Sequence, residues 1–213
     1  MYQKLKRINP FELAAECVKL NMEFAKSGTV IEMSGKNDGP QIDKIEQVWG
    51  LKGEPYCAMG QYWVFAKTLA TLCNVPFNND AKSPEYCVKV FAGMRGFIRD
   101  NYLLFHPACV YMINSAMKNK TWHNFEVNED ANKLIKGDYI FYDFGKDDDK
   151  PQRHVEQVVS NDGHVITTVG WNTRPDKNDP SGETNDPAGG GGCFLKNRHA
   201  NSHAIVGYVR WQR

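Results

Sequence analysis

The chain has no basic stripe, no CxxC pair, no internal repeat and no apolar run long enough to cross a bilayer. Its 26 Lys and Arg stand against 25 Asp and Glu, a formal net charge of +1. Nucleic acid and anionic membrane surfaces are bound through concentrated positive charge, so neither partner has electrostatic support. The most apolar stretch, Tyr102 to Ile113, contains His106 and Pro107 and falls short of the roughly 20 residues that a membrane-spanning helix needs. Met-Tyr-Gln-Lys-Leu-Lys-Arg at the start is followed by no apolar h-region, so synthesis in the cytoplasm without a secretory signal is expected. The six cysteines, at 17, 57, 73, 87, 109 and 193, are scattered, none within four residues of another. Zinc sites are commonly built on such close pairs, so no metal is expected. A chain of this length also needs no disulfide framework. The cysteines therefore read as buried thiols made in a reducing compartment, with one at most chemically active.

What is present is enough apolar material for a core. Hydrophobic residues make up 41% of the 213 positions and aromatics 12%, which excludes global disorder and suits one domain. The first two-thirds carry helical spacing. Asn9-Pro10 is a cap followed by Pro at the first helical position, with Leu13, Cys17, Leu20 and Phe24 on one face and Gly28 as the stop. Gly39-Pro40 opens a short helix with Ile42, Ile45 and Trp49 inward. A third helix is expected from about Tyr56 to Leu72. A fourth follows Ser83-Pro84 with Cys87, Phe91 and Met94 inward, and a fifth follows Pro107 with Val110, Ile113 and Met117 inward. The last third switches to period two. Gly137-Asp138 is a turn before a strand from Tyr139 to Phe144. Strands at His154 to Val159 and His164 to Val169 are joined by Asn161-Asp162-Gly163, a hairpin signal. Residues 174–192 form a long irregular loop, and Cys193 to Arg198 and Ala204 to Trp211 are the closing strands. Helices over about 9–120 followed by an antiparallel sheet over about 137–213 predict a single α+β domain spanning 1–213.

Chemistry is sought first at Glu54-Pro55-Tyr56-Cys57-Ala58-Met59. Pro55 is favoured at or just before a helix start, which puts Cys57 in the first turn. The helix dipole and free amides there stabilise a thiolate and can donate to a substrate oxyanion. The plain alternative is a small buried thiol on an apolar helix, and it is favoured for the other five cysteines. A nucleophile needs a base. Among the histidines at 106, 123, 154, 164, 199 and 203, His164 sits beside the hairpin turn, whereas His154 begins a strand whose alternation fixes its face. The strand-end position predicts that little packing depends on it. For the group that orients the imidazole, a three-residue hairpin loop would pair Ser160 with His164 and set His154 opposite Gly170. Asn172 is then the diagonal neighbour on the same face. Glu156, two residues along the strand from His154, is the rival.

Taken together these segments resemble the CHAP domain, the cysteine, histidine-dependent amidohydrolase/peptidase family within the wider NlpC/P60 and papain-like group. Glu32…Gly35-Lys36-Asn37-Asp38-Gly39-Pro40 resembles its Glu…Gly-Asn-x-Gly segment, and Glu54-Pro55-Tyr56-Cys57-Ala58 its Pro-Trp-Cys-Ala. Lys136-Gly137-Asp138-Tyr139-Ile140-Phe141 resembles Pro-Gly-Asp-Ile-Val-Phe, and His154-Val155-Glu156-Gln157-Val158-Val159 resembles His-Val-Gly-Ile-Val-Val. Val169-Gly170-Trp171-Asn172-Thr173 resembles Glu-Gly-Asn-Thr. Gly191-Gly192-Cys193 with Lys196-Asn197-Arg198, and Gly207-Tyr208-Val209-Arg210, resemble the closing strands. Two departures stand out: Val169 replaces a Glu with Trp171 inserted, and Glu156 replaces a small residue.

The resemblance implies a papain-like, NlpC/P60-like α+β fold with N-terminal helices packed on the sheet. Cys57 would be nucleophile, His154 base and Asn172 the orienting residue, with Glu156 as its alternative. Tyr56, Trp171, Glu32 and Asn37 would line a substrate groove. It further implies hydrolysis of a peptidoglycan amide bond, as endopeptidase or N-acetylmuramoyl-L-alanine amidase, through a thioester and without a cofactor. A phage endolysin, monomeric, not membrane-anchored and relying on a holin for export, fits the missing signal. A contact-delivered amidase effector, and a catalytically silent wall-binding or virion component, are the alternatives.

Overall fold

The computed structural model describes residues 8–74, 107–145, 153–175 and 191–210. The helix expected after Ser83-Pro84, the charged loop at 147–151 and most of the loop at 174–192 lie outside the described residues, as does Cys87. Among the described residues the helices are α1 (Pro10–Ser27), α2 (Pro40–Gln47), α3 (Cys57–Leu72) and α4 (Cys109–Lys118). The strands are β1 (Trp122–Asn124), β2 (Tyr139–Asp143), β3 (Arg153–Asn161), β4 (Val165–Thr173), β5 (Gly192–His199) and β6 (Ile205–Val209). They form one six-stranded sheet in the order β1-β6-β2-β3-β4-β5, and every pairing in it is antiparallel. Helix and antiparallel sheet are thus both present, as α+β requires.

Local chemistry explains the helix ends. Asn9 accepts a bond from the Phe11 amide at 2.9 Å, Pro10 opens α1, and Gly28 closes it in the left-handed region at φ 64°. Leu13, Cys17 and Val18 are buried, while Leu20 and Phe24 flank the core. Helix α3 is apolar almost all round and is buried nearly all round, the mark of a central helix. Helix α4 departs from its expected phase. Val110 and Met117 are about half exposed, and Cys109, Met112, Ile113 and Ala116 face inward. Size suggests Val110 and Met117 as anchors, but the close approach of α4 to the start of α3 is made by the small residue Cys109, whose sulfur meets that of Cys57.

The sheet is covered on both faces. Tyr139, Phe141, Val155, Val169 and Trp171 join the helices in the main core. Ile140, Tyr142, Val158 and Ile166 join a second cluster with Phe125, Leu134 and Tyr208. Strand β2 is therefore buried at four successive positions rather than at alternate ones. Edge strand β1 is three residues long, too short for a periodic signal, and among the described residues it pairs with β6 alone.

The β3–β4 hairpin also differs from its expected register. Glu156, not His154, lies opposite Gly170, and Ser160 pairs with Thr167 rather than His164. A bulge between Val158 and Ser160 shifts the pairing. The turn is held by Asp162, whose carboxylate accepts from the His164 and Val165 amides at 2.8 and 2.7 Å. No described helix is long and apolar enough to cross a membrane.

Candidate functional site

Cys57 is the first residue of α3, as its position after Pro55 predicts. Tyr56, the preceding residue, provides no side-chain cap, so first-turn amides remain available, and the Ala58 amide donates to the Cys57 sulfur. His154 is the second residue of β3 and hydrogen-bonds Cys57. The imidazole is wholly buried, with the Tyr142 and Phe144 rings 6.4 and 6.1 Å away, so the expectation of little packing at this position is corrected.

The residue that meets His154 is Glu156. Its Oε1 lies 3.1 Å from His154 Nε2. Both side chains project from the same face of β3, two residues apart. Glu156 is itself held on three sides. Thr168 Oγ1 donates to its Oε2 at 2.5 Å, Arg198 Nε donates to Oε2 at 3.1 Å, and Arg198 Nη2 donates to Oε1. Gly170, opposite on β4, leaves the space the carboxylate occupies: a Cβ there would stand 2.7 Å from Oε1. Arg198 comes from β5, and its guanidinium lies 5.2 Å from the centres of both the Tyr142 and Phe144 rings.

Asn172 does not take the orienting place. It sits at an irregularity between Trp171 and Thr173 with φ 56°, a left-handed conformation that Asn tolerates. Its Oδ1 lies 3.2 Å from where a Cβ on Gly191 would stand and has no hydrogen-bond partner among the described residues. The diagonal relation derived from a regular hairpin fails because β4 is not regular at that point.

The electrostatics follow from these contacts. Burial alone would raise the Glu156 carboxyl, but the Arg198 guanidinium and the His154 bond outweigh it and hold the group well below the usual carboxylate range. Burial alone would lower His154, but its bonds to Cys57 and Glu156 leave its pKa above 6.5. The Cys57 thiol is held well below 9.0, chiefly by a bond from Cys109, with His154 assisting against the cost of burial. Cys109 Sγ lies 3.4 Å from Cys57 Sγ, and its own thiol is pushed well above 9.0 by that neighbour. With Nε2 committed to the carboxylate, Nδ1 is the imidazole nitrogen left for the Cys57 proton. The arrangement can hold a thiolate beside an imidazolium, the resting form of an activated cysteine nucleophile.

The expected groove residues divide. Trp171 is a core residue with no exposure. Its ring packs so closely on Gly60 of α3 that a Cβ there would stand 2.2 Å away, and its Nε1 donates to Asn21 Oδ1 at 2.8 Å. Tyr56 is also fully buried and donates to Glu32 Oε1 at 3.3 Å. Neither can line an open groove. Asn37 donates to the Gly53 carbonyl at 3.2 Å, tying the loop before α2 to the segment that leads into Cys57.

Sequence reasoning missed three members of the site: Thr168, Arg198 and Cys109. Arg198 and Thr168 depend on a register across three strands. Cys109 carried a readable signal. Pro107-Ala108-Cys109 repeats the spacing of Pro55-Tyr56-Cys57, and both cysteines start helices. Among the described residues no group of three or more His, Cys, Asp or Glu is arranged to hold a metal ion. No family model matches the chain, and neither a curated protein nor a solved structure matches it.

Proposed function

We propose that this chain is a cysteine hydrolase that cleaves an amide bond of bacterial peptidoglycan, with the papain-like arrangement that its motifs resemble. The observation that carries the reading is the buried line Cys57–His154–Glu156, which begins at a helix start and ends on Arg198. In the proposed reaction the Cys57 thiolate adds to the amide carbonyl. First-turn amides of α3 hold the oxyanion. The His154 imidazolium gives its proton to the departing amine, leaving a thioester on Cys57. His154 then takes a proton from water, which hydrolyses the thioester to a carboxylic acid and frees the thiol. Glu156 fixes the tautomer and stabilises the imidazolium, and Arg198 keeps Glu156 ionised.

Substrate class rests on the motif resemblance. The test is digestion of purified peptidoglycan with mass spectrometry of the released fragments. Wild type is expected to release fragments with new amino and carboxyl ends, and Cys57→Ala to release none. Fragments bearing a free N-acetylmuramic acid lactyl carboxylate would mark an amidase, and cut peptides an endopeptidase. Wall binding by the wild type without any release would instead identify a catalytically silent wall-binding component.

A further inference from the structure

Cys57 and Cys109 are the first residues of α3 and α4, and the two helix starts meet at their sulfurs. The sulfur atoms are 3.4 Å apart, and each residue is about 5% exposed. A disulfide requires about 2.05 Å, so closure needs both sulfurs to move by well under the length of a side chain. Tyr56 and Ala108 contribute no side-chain cap to either helix, which leaves first-turn amides at both sulfurs. The pair is also asymmetric: Cys57 is favoured as thiolate, and Cys109 is kept as the thiol that donates to it. Oxidative closure needs that division, one sulfur to be oxidised first and one to resolve it.

We propose that Cys57 and Cys109 form a redox-active pair, in which hydrogen peroxide oxidises Cys57 and Cys109 closes a reversible disulfide. In the first step the Cys57 thiolate attacks one peroxide oxygen and the O–O bond breaks. The leaving hydroxide takes the His154 proton and departs as water, leaving Cys57 as a sulfenic acid. Next the Cys109 sulfur attacks the Cys57 sulfur. The S–O bond breaks, and the hydroxyl leaves as water with the Cys109 proton. The sulfur pair loses two electrons and the peroxide gains them. External thiol reverses closure by exchange through a mixed disulfide. Closure occupies Cys57 and so also shields it from irreversible oxidation to sulfinic acid.

The pairing itself does not depend on the hydrolase reading, because it is read without substrate. Reduced full-length protein is exposed to hydrogen peroxide in thiol-free buffer, quenched with N-ethylmaleimide, digested and mapped by mass spectrometry. The expected product is a Cys57–Cys109 linked peptide lacking two hydrogens, as the main oxidised form, abolished by dithiothreitol. In Cys109→Ser, checked for an unchanged melting profile, Cys57 should instead pass to sulfinic acid that dithiothreitol does not reverse. Cys109→Ala provides the same readout if serine perturbs folding. Accumulation of Cys57 sulfinic acid in the wild type without the linked peptide would overturn the proposal, as would a disulfide joining Cys57 to any other cysteine. A linked peptide in a protein without hydrolase activity would uphold the pair and count against the hydrolase reading alone.

Discussion

Glu156 is a carboxylate with no solvent exposure, and a buried charge is tolerated only when it is paired and hydrogen-bonded. Arg198, Thr168 and His154 meet that requirement, so Glu156→Gln leaves a buried guanidinium short of its counter-charge. Such a loss is expected to cost about 3–5 kcal/mol, read as a lower denaturant midpoint. The sign of its pH dependence follows from the depressed carboxyl. A group whose folded pKa lies below its unfolded value stabilises the fold above that unfolded value, here 4.5, and loses the contribution as pH falls toward the folded value. The stability gap between wild type and Glu156→Gln should therefore narrow progressively below about pH 5, and narrow again as pH rises through the raised His154 value that Glu156 helps to maintain. Catalysis separates the two rivals for the orienting role. Glu156→Gln is expected to lower turnover by about 10²-fold, and Asn172→Ala to lower it far less. A larger effect from Asn172→Ala would return the role to the asparagine. His154→Ala removes a buried ring as well as a base, so it should lose stability along with turnover.

At the scale of elements, one strand position, Gly170, matters more than its chemistry suggests. Gly170 on β4 has no side chain where Glu156 on β3 places its carboxylate. Gly170→Ala would put a methyl carbon 2.7 Å from Oε1 and 3.0 Å from Thr173 Cγ2. The carboxylate must then leave His154 or the strands must part. Alkylation of Cys57 near neutral pH is expected to slow by about tenfold, for an overpacking cost of about 1–3 kcal/mol in stability. Unchanged alkylation alongside lost stability would show that Glu156 holds His154 only structurally. The helix starts were legible in the sequence because their signals are local: Asn9-Pro10, Gly39-Pro40 and Pro55 each act within a turn. The hairpin register was not, because the bulge between Val158 and Ser160 has no local marker and is set by packing on both faces of the sheet.

Across the whole molecule, the site joins the helical layer to the sheet. Asn21 of α1 donates to Gln61 of α3 at 2.9 Å and to Gln157 of β3 at 2.7 Å, and it accepts from Trp171 of β4. Gln61 in turn donates to the Val169 carbonyl at 3.0 Å. This buried polar strut fixes α3, and so Cys57, against the strands that carry His154 and Glu156. Cys57 and His154 were legible as candidate residues, because a helix start and a strand end each announce themselves locally. Their orienting group was not settled, because Glu156 and Asn172 were separated only by a register that packing on both faces of the sheet imposes. Cys109 and Arg198 came from distant stretches of chain that only the fold brings together. What the assembly must produce is one activated thiolate. The direct measurement is the rate of iodoacetamide labelling at each cysteine of the native protein, followed by mass spectrometry across pH. Cys57 is predicted to lead, keeping its rate well below pH 9.0 and losing it only as pH falls through its depressed value. Labelling led by Cys73 or Cys193, or a Cys57 rate that rises only as pH approaches 9.0, would contradict the account.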